Sequence, residues 1–513
     1  AHVVPDGARE AARGPLRRYL ASSVNLWSRE SSQLAEIGEE RREELLTLAV
    51  ERYLERAAVV GSPDEAASRL AALGETGVDE IACLVDFGPP AAGVLTTIRS
   101  LGALLDAAAP TTDRPDVFAP AHGYTRADDA RSVGRFPFFQ PVTDGSGTHA
   151  TVGGQPALML GSLDYLGLGA DPRVRAAARR AVAEHGASTS GSRFYNGTTP
   201  LHLALEDALA EFLDRDDALV VGSGYQAVMA AVGALLGPDS TLVLDAASHA
   251  CLFDAAATAR CRVRRFAHED CVDLDRVLAE VDGPVLVAVE GQYSNDGDLA
   301  SLVELRRVCD RHRARLLVDD AHGLAVLGPT GRGSEELHGV RADLLVGSLS
   351  KGLGSVGGWI AGDRAVVDYV RLHGRANLFS ASTIAPSSVA AALEALRILQ
   401  AEPERVERLW ANARHWRSTL QAGGLDTGRS EGPIVPILIG TDDNCIDVAQ
   451  ALLAHGVYVN PVLPPSAEPG RALLRTTVNA LHDRDQLDRA AAVVIEVVRA
   501  VLTARAGTSA RSG

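Results

Sequence analysis

Lysine is all but missing from this chain. Lysine and arginine together number 50, and only Lys351 is lysine, so 49 are arginine. Arginine replaces lysine as a surface charge, but it does not lose its proton in a protein and cannot act as an amine nucleophile or form a Schiff base. Keeping one lysine against that bias marks position 351 for amine chemistry. Cysteine is sparse and scattered (Cys83, Cys251, Cys261, Cys271, Cys309, Cys445) with no CxxC pair. That spacing excludes a disulfide framework and a zinc site and predicts reduced thiols in a cytoplasmic protein. Positive charge is short: a formal net charge of −16 excludes nucleic acid and anionic membrane as partners, both of which need a basic surface. No apolar run is long enough to span a bilayer. The start, AHVVPDGARE, lacks a signal-peptide pattern and a methionine, so it is expected to be a cut end of something longer. The Asn196-Gly-Thr sequon is expected to be idle without a secretory signal.

What remains is an ordinary globular balance, 46% apolar and 23% charged over 513 residues, enough for two to four domains. Residues 15–60 read as helical, with Leu45, Leu46, Ala49 and Leu54 on one stripe. Ser62 is an expected N-cap ahead of Pro63, Asp64 and Glu65. VDEIACLVDFG reads as a strand, and the polar, Pro- and Asp-rich stretch 108–133 as linker. After about residue 150 the pattern alternates. DALVVGSG, TLVLDAASHA, GPVLVAVEG, ARLLVDDAHG and ADLLVGSLSK are apolar strands separated by helical segments. Such βα units predict an α/β fold with a mostly parallel sheet covered by helices on both faces and ligands at the carboxy ends of its strands. Residues 400–505 read as a smaller α+β domain.

Chemistry-bearing residues cluster at those strand ends: Asp319, Asp320 and His322; Glu290, Ser294, Asp296 and Asp298; His249; Ser223, Gly224, Tyr225 and Gln226; and Lys351. Three readings compete. Gly352, Gly354 and Gly357 match GxGxxG, but GGWIAG follows as a strand where dinucleotide binding needs a helix N-terminus. Asp319, Asp320 and His322, with Asp296 or Asp298, form a possible metal set that leaves Lys351 unexplained. A pyridoxal phosphate site uses every part. The lysine amine forms the imine, an acidic strand-end residue keeps the pyridine nitrogen protonated, and a histidine stacks on the ring. The amides of Gly224, Tyr225 and Gln226 at a helix start, with the Ser348 hydroxyl, hold the phosphate.

VDDAHGLAVLGPTGRG, GSLSKGLGSVGG, EGQYSNDGDLASL and GSRFYNGTTPLHLALE resemble the α-oxoamine synthases, in the family's order, over about residues 134–505. That family includes aminolaevulinate synthase, aminooxononanoate synthase, glycine C-acetyltransferase and serine palmitoyltransferase. The resemblance implies a fold-type-I pyridoxal 5'-phosphate enzyme, a homodimer with shared active sites. It implies Lys351 as the Schiff-base lysine and Asp319 on the ring nitrogen, with His322 and Ser294 near the ring hydroxyl. It further implies His249 stacked on the ring, Ser223, Gly224, Tyr225 and Ser348 around the phosphate, and Glu290 in the cofactor site. Ser380 matches a position reaching the phosphate of the other subunit. Arg475, in ALLRTTVNALH, matches the arginine that binds the amino-acid carboxylate, and Leu163 and Tyr165, in SLDYLGL, lie near the substrate. Leu163 stands where relatives often carry asparagine, which bears on the choice among glycine, alanine and serine. The implied reaction is a decarboxylative Claisen condensation of a small amino acid with an acyl thioester, giving an α-aminoketone.

A second resemblance covers the first ~110 residues. PLRRYLASSVNLWSRE and VVGSPDEAASRLAALGETGVDEIACLVDFGPP resemble the C-terminal end of a luciferase-like flavin monooxygenase of biosynthetic assembly lines. That fold is a (β/α)8 barrel of roughly 250 residues, so a partial barrel-like helical appendage without flavin chemistry is expected. The expected layout is 1–110 remnant, 111–133 linker, 134–400 cofactor-binding large domain with its N-terminal arm, 401–505 small domain and 506–513 disordered tail. With an assembly-line neighbour, the acyl donor is expected to ride on a carrier protein rather than on CoA. The helix DPRVRAAARRAVAEHG, bearing Arg173, Arg175, Arg179 and Arg180, is the candidate basic patch.

Overall fold

The computed structural model describes residues 2–3, 8–30, 38–56, 60–74, 91–107, 116–380 and 383–509. The chain forms two compact bodies, Ala1–Thr125 and Arg126–Gly513.

In the first body, β1 (His2–Val3) pairs in parallel with β2 (Val60–Gly61), and helices Ala8–Glu30, Glu39–Arg56, Pro63–Gly74 and Ala91–Ala107 follow the strands. Ser62 starts its helix as expected: its hydroxyl accepts from the Glu65 amide, and the Glu65 carboxylate accepts from the Ser62 amide. The buried stripe is set differently from the sequence reading. Val50 and Leu54 pack on Ala12 and Leu16, while Leu45 is exposed. The expected strand at 78–88 lies outside the described residues. Of the expected linker, residues 116–133 carry two short helices, Ala119–His122 and Arg126–Ser132. A proline in the first turn of one and Asp128 and Asp129 in the first turn of the other favour helix starts there.

The second body begins with an antiparallel meander, β3 (Val142–Ser146), β4 (His149–Val152) and β5 (Gln155–Met159). The central sheet comprises β6 (Asp217–Val221), β7 (Thr241–Asp245), β8 (Arg262–Phe266), β9 (Val285–Glu290), β10 (Arg315–Asp319), β11 (Leu344–Ser348) and β12 (Gly358–Gly362). Its order is β6-β12-β11-β10-β9-β7-β8, parallel except for β12, which runs against both neighbours. Both faces are buried, as the continuous apolar runs predicted. Val220, Val243, Val287, Val318 and Trp359 face one core. Leu219, Leu242, Leu286, Leu317 and Ile360 face the other, against helices Gly224–Leu235 and Ala250–Ala259. The α/β architecture therefore stands as read.

The C-terminal part holds β13 (Ile434–Gly440), β14 (Val457–Tyr458), β15 (Asn460–Val462) and β16 (Ala472–Thr477); β13, β16 and β15 form an antiparallel sheet. β14 pairs instead with β5, so the strands at 142–159 complete a sheet with the C-terminal segment. The closing helix, Arg484–Ser509, runs into the span expected to be a disordered tail; residues 510–513 lie outside the described ones. Among the described residues no helix is long and apolar enough to cross a membrane.

Candidate active site

The register of the central sheet aligns the chemistry. Asp319, the last residue of β10, pairs with Glu290, the last of β9. Ser348, the last of β11, sits opposite Gly358, which in turn sits opposite Val221 at the end of β6. One sheet edge therefore presents Glu290, Asp319, Ser348 and the turn into helix Gly224–Leu235, and the loop leaving β11 carries Lys351.

The helix start is built for close approach. Ser223 is the N-cap, its hydroxyl accepting from the Gln226 amide at 3.1 Å. That bond occupies Gln226, leaving the Gly224 and Tyr225 amides as the open donors of the first turn. A side chain at Gly224 would meet Ser348 Cβ at 3.1 Å, and one at Gly358 would lie 2.1 Å from the Ser223 carbonyl oxygen. The Ser348 hydroxyl is 2.6 Å from that of Ser350. The Tyr225 hydroxyl donates to Asp254 at 2.5 Å.

Asp319 is buried and spends one carboxylate oxygen on the Ala321 amide, 3.0 Å away. Burial raises its pKa, and Lys351 works against that rise. Burial likewise lowers the Lys351 pKa, opposed by the carboxylates of Asp319 and Glu290. Glu290 is buried, its pKa raised by burial and by Asp319, and one oxygen accepts from the His249 amide at 2.7 Å. That bond fixes the backbone of His249, which caps helix Ala250–Ala259 through its own ring. His249 Nδ1 lies 3.0 Å from Cys251 Sγ, and burial lowers the ring's pKa while the Asp319 carboxylate opposes that. His322 is buried, which pushes its pKa well down, with Nδ1 2.7 Å from the Tyr165 hydroxyl.

Arg475, on β16, donates through Nη1 to the Ser294 carbonyl at 3.1 Å, while its Nε is buried without a partner. Burial lowers its pKa, and the Tyr165 and Tyr458 hydroxyl groups oppose that. Leu163 packs against the core beside Tyr165. Ser380 lies just past helix Arg375–Leu378, its amide donating to the Asn377 carbonyl. Sequence reasoning gave no part to Cys251 or Tyr458. Both lie close to named site residues, and neither sits at a charged strand end that would have drawn notice.

The competing readings fare differently. The glycine run leads into strand β12, so the dinucleotide helix is absent. Among the described residues no group of three or more His, Cys, Asp or Glu side chains could hold a metal. The proposed metal set is split: Asp320 turns to the Ser334 amide and His322 to Tyr165. Pyridoxal phosphate fits these residues. A buried carboxylate with a spare oxygen suits a protonated ring nitrogen, a helix N-terminus with two open amides and a neighbouring hydroxyl suits a phosphate, and the sole lysine lies within electrostatic reach of that carboxylate.

Comparison with known proteins agrees. The family Aminotransferase class I and II matches residues 156–494. A serine palmitoyltransferase of Sphingobacterium spiritivorum is 35% identical over 376 residues, 72% of this chain and 94% of that protein. An 8-amino-7-oxononanoate synthase of Symbiobacterium thermophilum is 37% identical over 353 residues, 68% of this chain and 90% of that protein. The solved serine palmitoyltransferase of S. paucimobilis superposes with a TM-score of 0.73 at 34% identity, covering 76% of this chain and 100% of its own. With the fold, the cofactor cradle and these relatives in agreement, the chain belongs to the Aminotransferase class I and II family and, within it, to the α-oxoamine synthases: it is a pyridoxal-phosphate-dependent acyltransferase.

Proposed function

We propose that the enzyme condenses a small amino acid (glycine, alanine or serine) with an acyl thioester, with loss of CO2, to give an α-aminoketone. The observation that carries this is Arg475: a half-buried guanidinium with a buried, unpartnered Nε and no carboxylate partner among the described residues, within electrostatic reach of Lys351 and His322. Such a group suits a substrate carboxylate gripped in a bidentate pair. Bound pyridoxal phosphate supplies an electron sink for the bond changes at the substrate Cα.

The chain's own residues do the rest. Asp319 holds the proton on the ring nitrogen. Burial lowers the proton affinity of the Lys351 amine, so its neutral form is available to take the Cα proton. His249 covers the ring, held by Glu290 through its amide. Tyr165 fixes His322 through Nδ1, which leaves Nε2 for the ring hydroxyl with Ser294. Ser223, Gly224, Tyr225 and Ser348 surround the phosphate, with Ser380 reaching it from the partner of a cytoplasmic homodimer. The deprotonated Cα attacks the thioester carbonyl, the thiolate leaves and takes a proton from solvent, the carboxylate departs as CO2, and the Lys351 ammonium returns a proton to Cα.

The acyl donor is a carrier-protein thioester in a polyketide or nonribosomal-peptide pathway. Support comes from the first body, whose parallel strand pair with intervening helices is what a piece of a (β/α) barrel contains. That body is a flavin-monooxygenase remnant; stoichiometric uptake of FMN by the purified chain would overturn this. The basic patch is narrower than the sequence suggested. Arg173 is paired with Asp171 and Glu402, which leaves exposed Arg175, Arg179 and Arg180. One acyl group presented on CoA and on a carrier protein, across glycine, alanine and serine, tests both halves. Aminoketone and CO2 in equal amounts with faster turnover on the carrier is the expected result. Equal or faster turnover with CoA removes the carrier, and no aminoketone with either removes the condensation.

A further inference from the structure

His268 belongs to no part of the cofactor cradle. It follows β8, in a turn where the ring reaches two buried carboxylates. Nδ1 is 2.8 Å from Asp245 Oδ1 at the end of β7, and Nε2 is 2.8 Å from Asp298 Oδ2 in the loop after β9. A ring that serves a carboxylate from each nitrogen donates twice, as an imidazolium. Its edge-on contact with the buried Tyr293 ring, centroids 4.5 Å apart at 86°, fixes its plane.

The turn held this way is closed on itself. The Tyr293 amide donates to the Asp298 carbonyl and the Gly297 amide to the Tyr293 carbonyl, each at 3.0 Å. The Gly297 carbonyl accepts from the Glu431 and Gly432 amides, so the turn is wedged against the segment entering β13. Its Ser294 carbonyl is the acceptor for Arg475 Nη1, 3.1 Å away.

We infer that His268 is a positioning residue: clamped between Asp245 and Asp298, it fixes the Tyr293–Asp298 turn so that the Ser294 carbonyl aims Arg475 at the substrate carboxylate. This rests on the role proposed for Arg475. The other charged groups around the clamp are compatible with it. Arg429 reaches Asp298 at 3.5 Å, and the Glu269 carboxylate is turned to the Ser301 hydroxyl at 2.9 Å. The Glu269 amide donates to the second oxygen of Asp245 at 3.0 Å, and burial and Glu269 keep the Cys271 thiol protonated. Burial alone would lower the His268 pKa, but its bonds to Asp245 and Asp298 carry it up to about 10. A raised pKa means the clamp is complete below the unfolded value of 6.5 and is lost as pH rises through about 10.

The test uses the holoenzyme with His268→Ala, His268→Gln and Asp298→Asn. Amino-acid affinity is read from the cofactor absorbance on titration with glycine, L-alanine and L-serine. Hydrogen exchange of residues 291–298 is read without substrate. His268→Ala should weaken amino-acid binding about tenfold and speed exchange in 291–298. Cofactor retention and the KM for the acyl donor should stay within about twofold. In an Arg475→Ala background, His268→Ala should add less than about twofold. Unchanged amino-acid affinity in His268→Gln and Asp298→Asn, even with a lower Tm, would overturn the inference, as would full additivity with Arg475→Ala. If His268→Ala does not fold, the other two variants decide. If Arg475→Ala alone leaves affinity intact, the role of Arg475 falls, while the exchange data still report whether the clamp holds the turn.

Discussion

At the scale of single residues, the proposed reaction leans most on Arg475. Arg475 keeps a buried Nε unpaired and, among the described residues, faces no carboxylate, whereas Arg193, Arg215 and Arg306 are each paired with one. Arg475→Ala should weaken amino-acid binding by about 3 kcal/mol, on the order of a hundredfold, with the cofactor spectrum unchanged; spectral titration measures both. Asp320 gives a pH prediction. It is wholly buried, its Oδ1 has no partner, and burial carries its pKa from 3.8 up to about 7. A carboxyl group whose folded pKa is raised binds its proton more tightly when folded, so its contribution is largest below pH 3.8 and declines as pH rises through about 7. Asp320→Asn, which never ionises, should therefore cost stability at pH 5 and cost less, or stabilise, at pH 8. Denaturant melts at the two pH values check this; an equal effect at both would show that Asp320 does not titrate in that window. The sequence exposed these residues unequally. Lys351 stood out by rarity and Asp319 by its place at a strand end. Arg475, one of 49 arginines, was marked only by a family motif, because burial is not written in composition.

At the scale of elements, the helix Gly224–Leu235 carries the clearest requirement. Its start touches β12 so closely that a Cβ on Gly358 would lie 2.1 Å from the Ser223 carbonyl oxygen and 2.6 Å from the Gly224 nitrogen. Gly358→Ala should push that start away and weaken pyridoxal phosphate binding about tenfold to a hundredfold, the value of one charge-assisted hydrogen bond. Far-UV circular dichroism should not change. Gly233 in the same helix is the control, since nothing lies within 4 Å of a Cβ there. Gly233→Ala should leave cofactor affinity alone and stabilise by about 0.5–1 kcal/mol. Unaltered cofactor affinity in Gly358→Ala would remove the helix start from the phosphate site. The elements of the central sheet were legible because buried parallel strands read as continuous apolar runs. The stripe of the helix Glu39–Arg56 was less so. Leu45 and Val50 are both apolar, and only packing against Leu16 decides which is buried.

At the scale of the whole molecule, the proposed homodimer makes a prediction for Ser380. Lys351→Ala subunits mixed with subunits changed at Ser380 should form one intact and one doubly damaged site per mixed dimer. Activity well above that of either parent is expected; no recovery, with Ser380 variants alone impaired, would place Ser380 within its own subunit's site.

The sequence by itself determined the alternation of strands and helices and the pyridoxal phosphate chemistry, and it marked the sole lysine proposed to serve it. These depend on local pattern and residue type, which a linear string carries intact. Only the tertiary structure decided that Asp319 and Asp320, neighbours in the chain, face different partners, and that the strands at 142–159 pair with β14. It alone joined Asp245, His268 and Asp298 in one clamp. Those facts depend on register and packing between segments tens to hundreds of residues apart, and no local spacing encodes which distant side chain fills the space beside a given one.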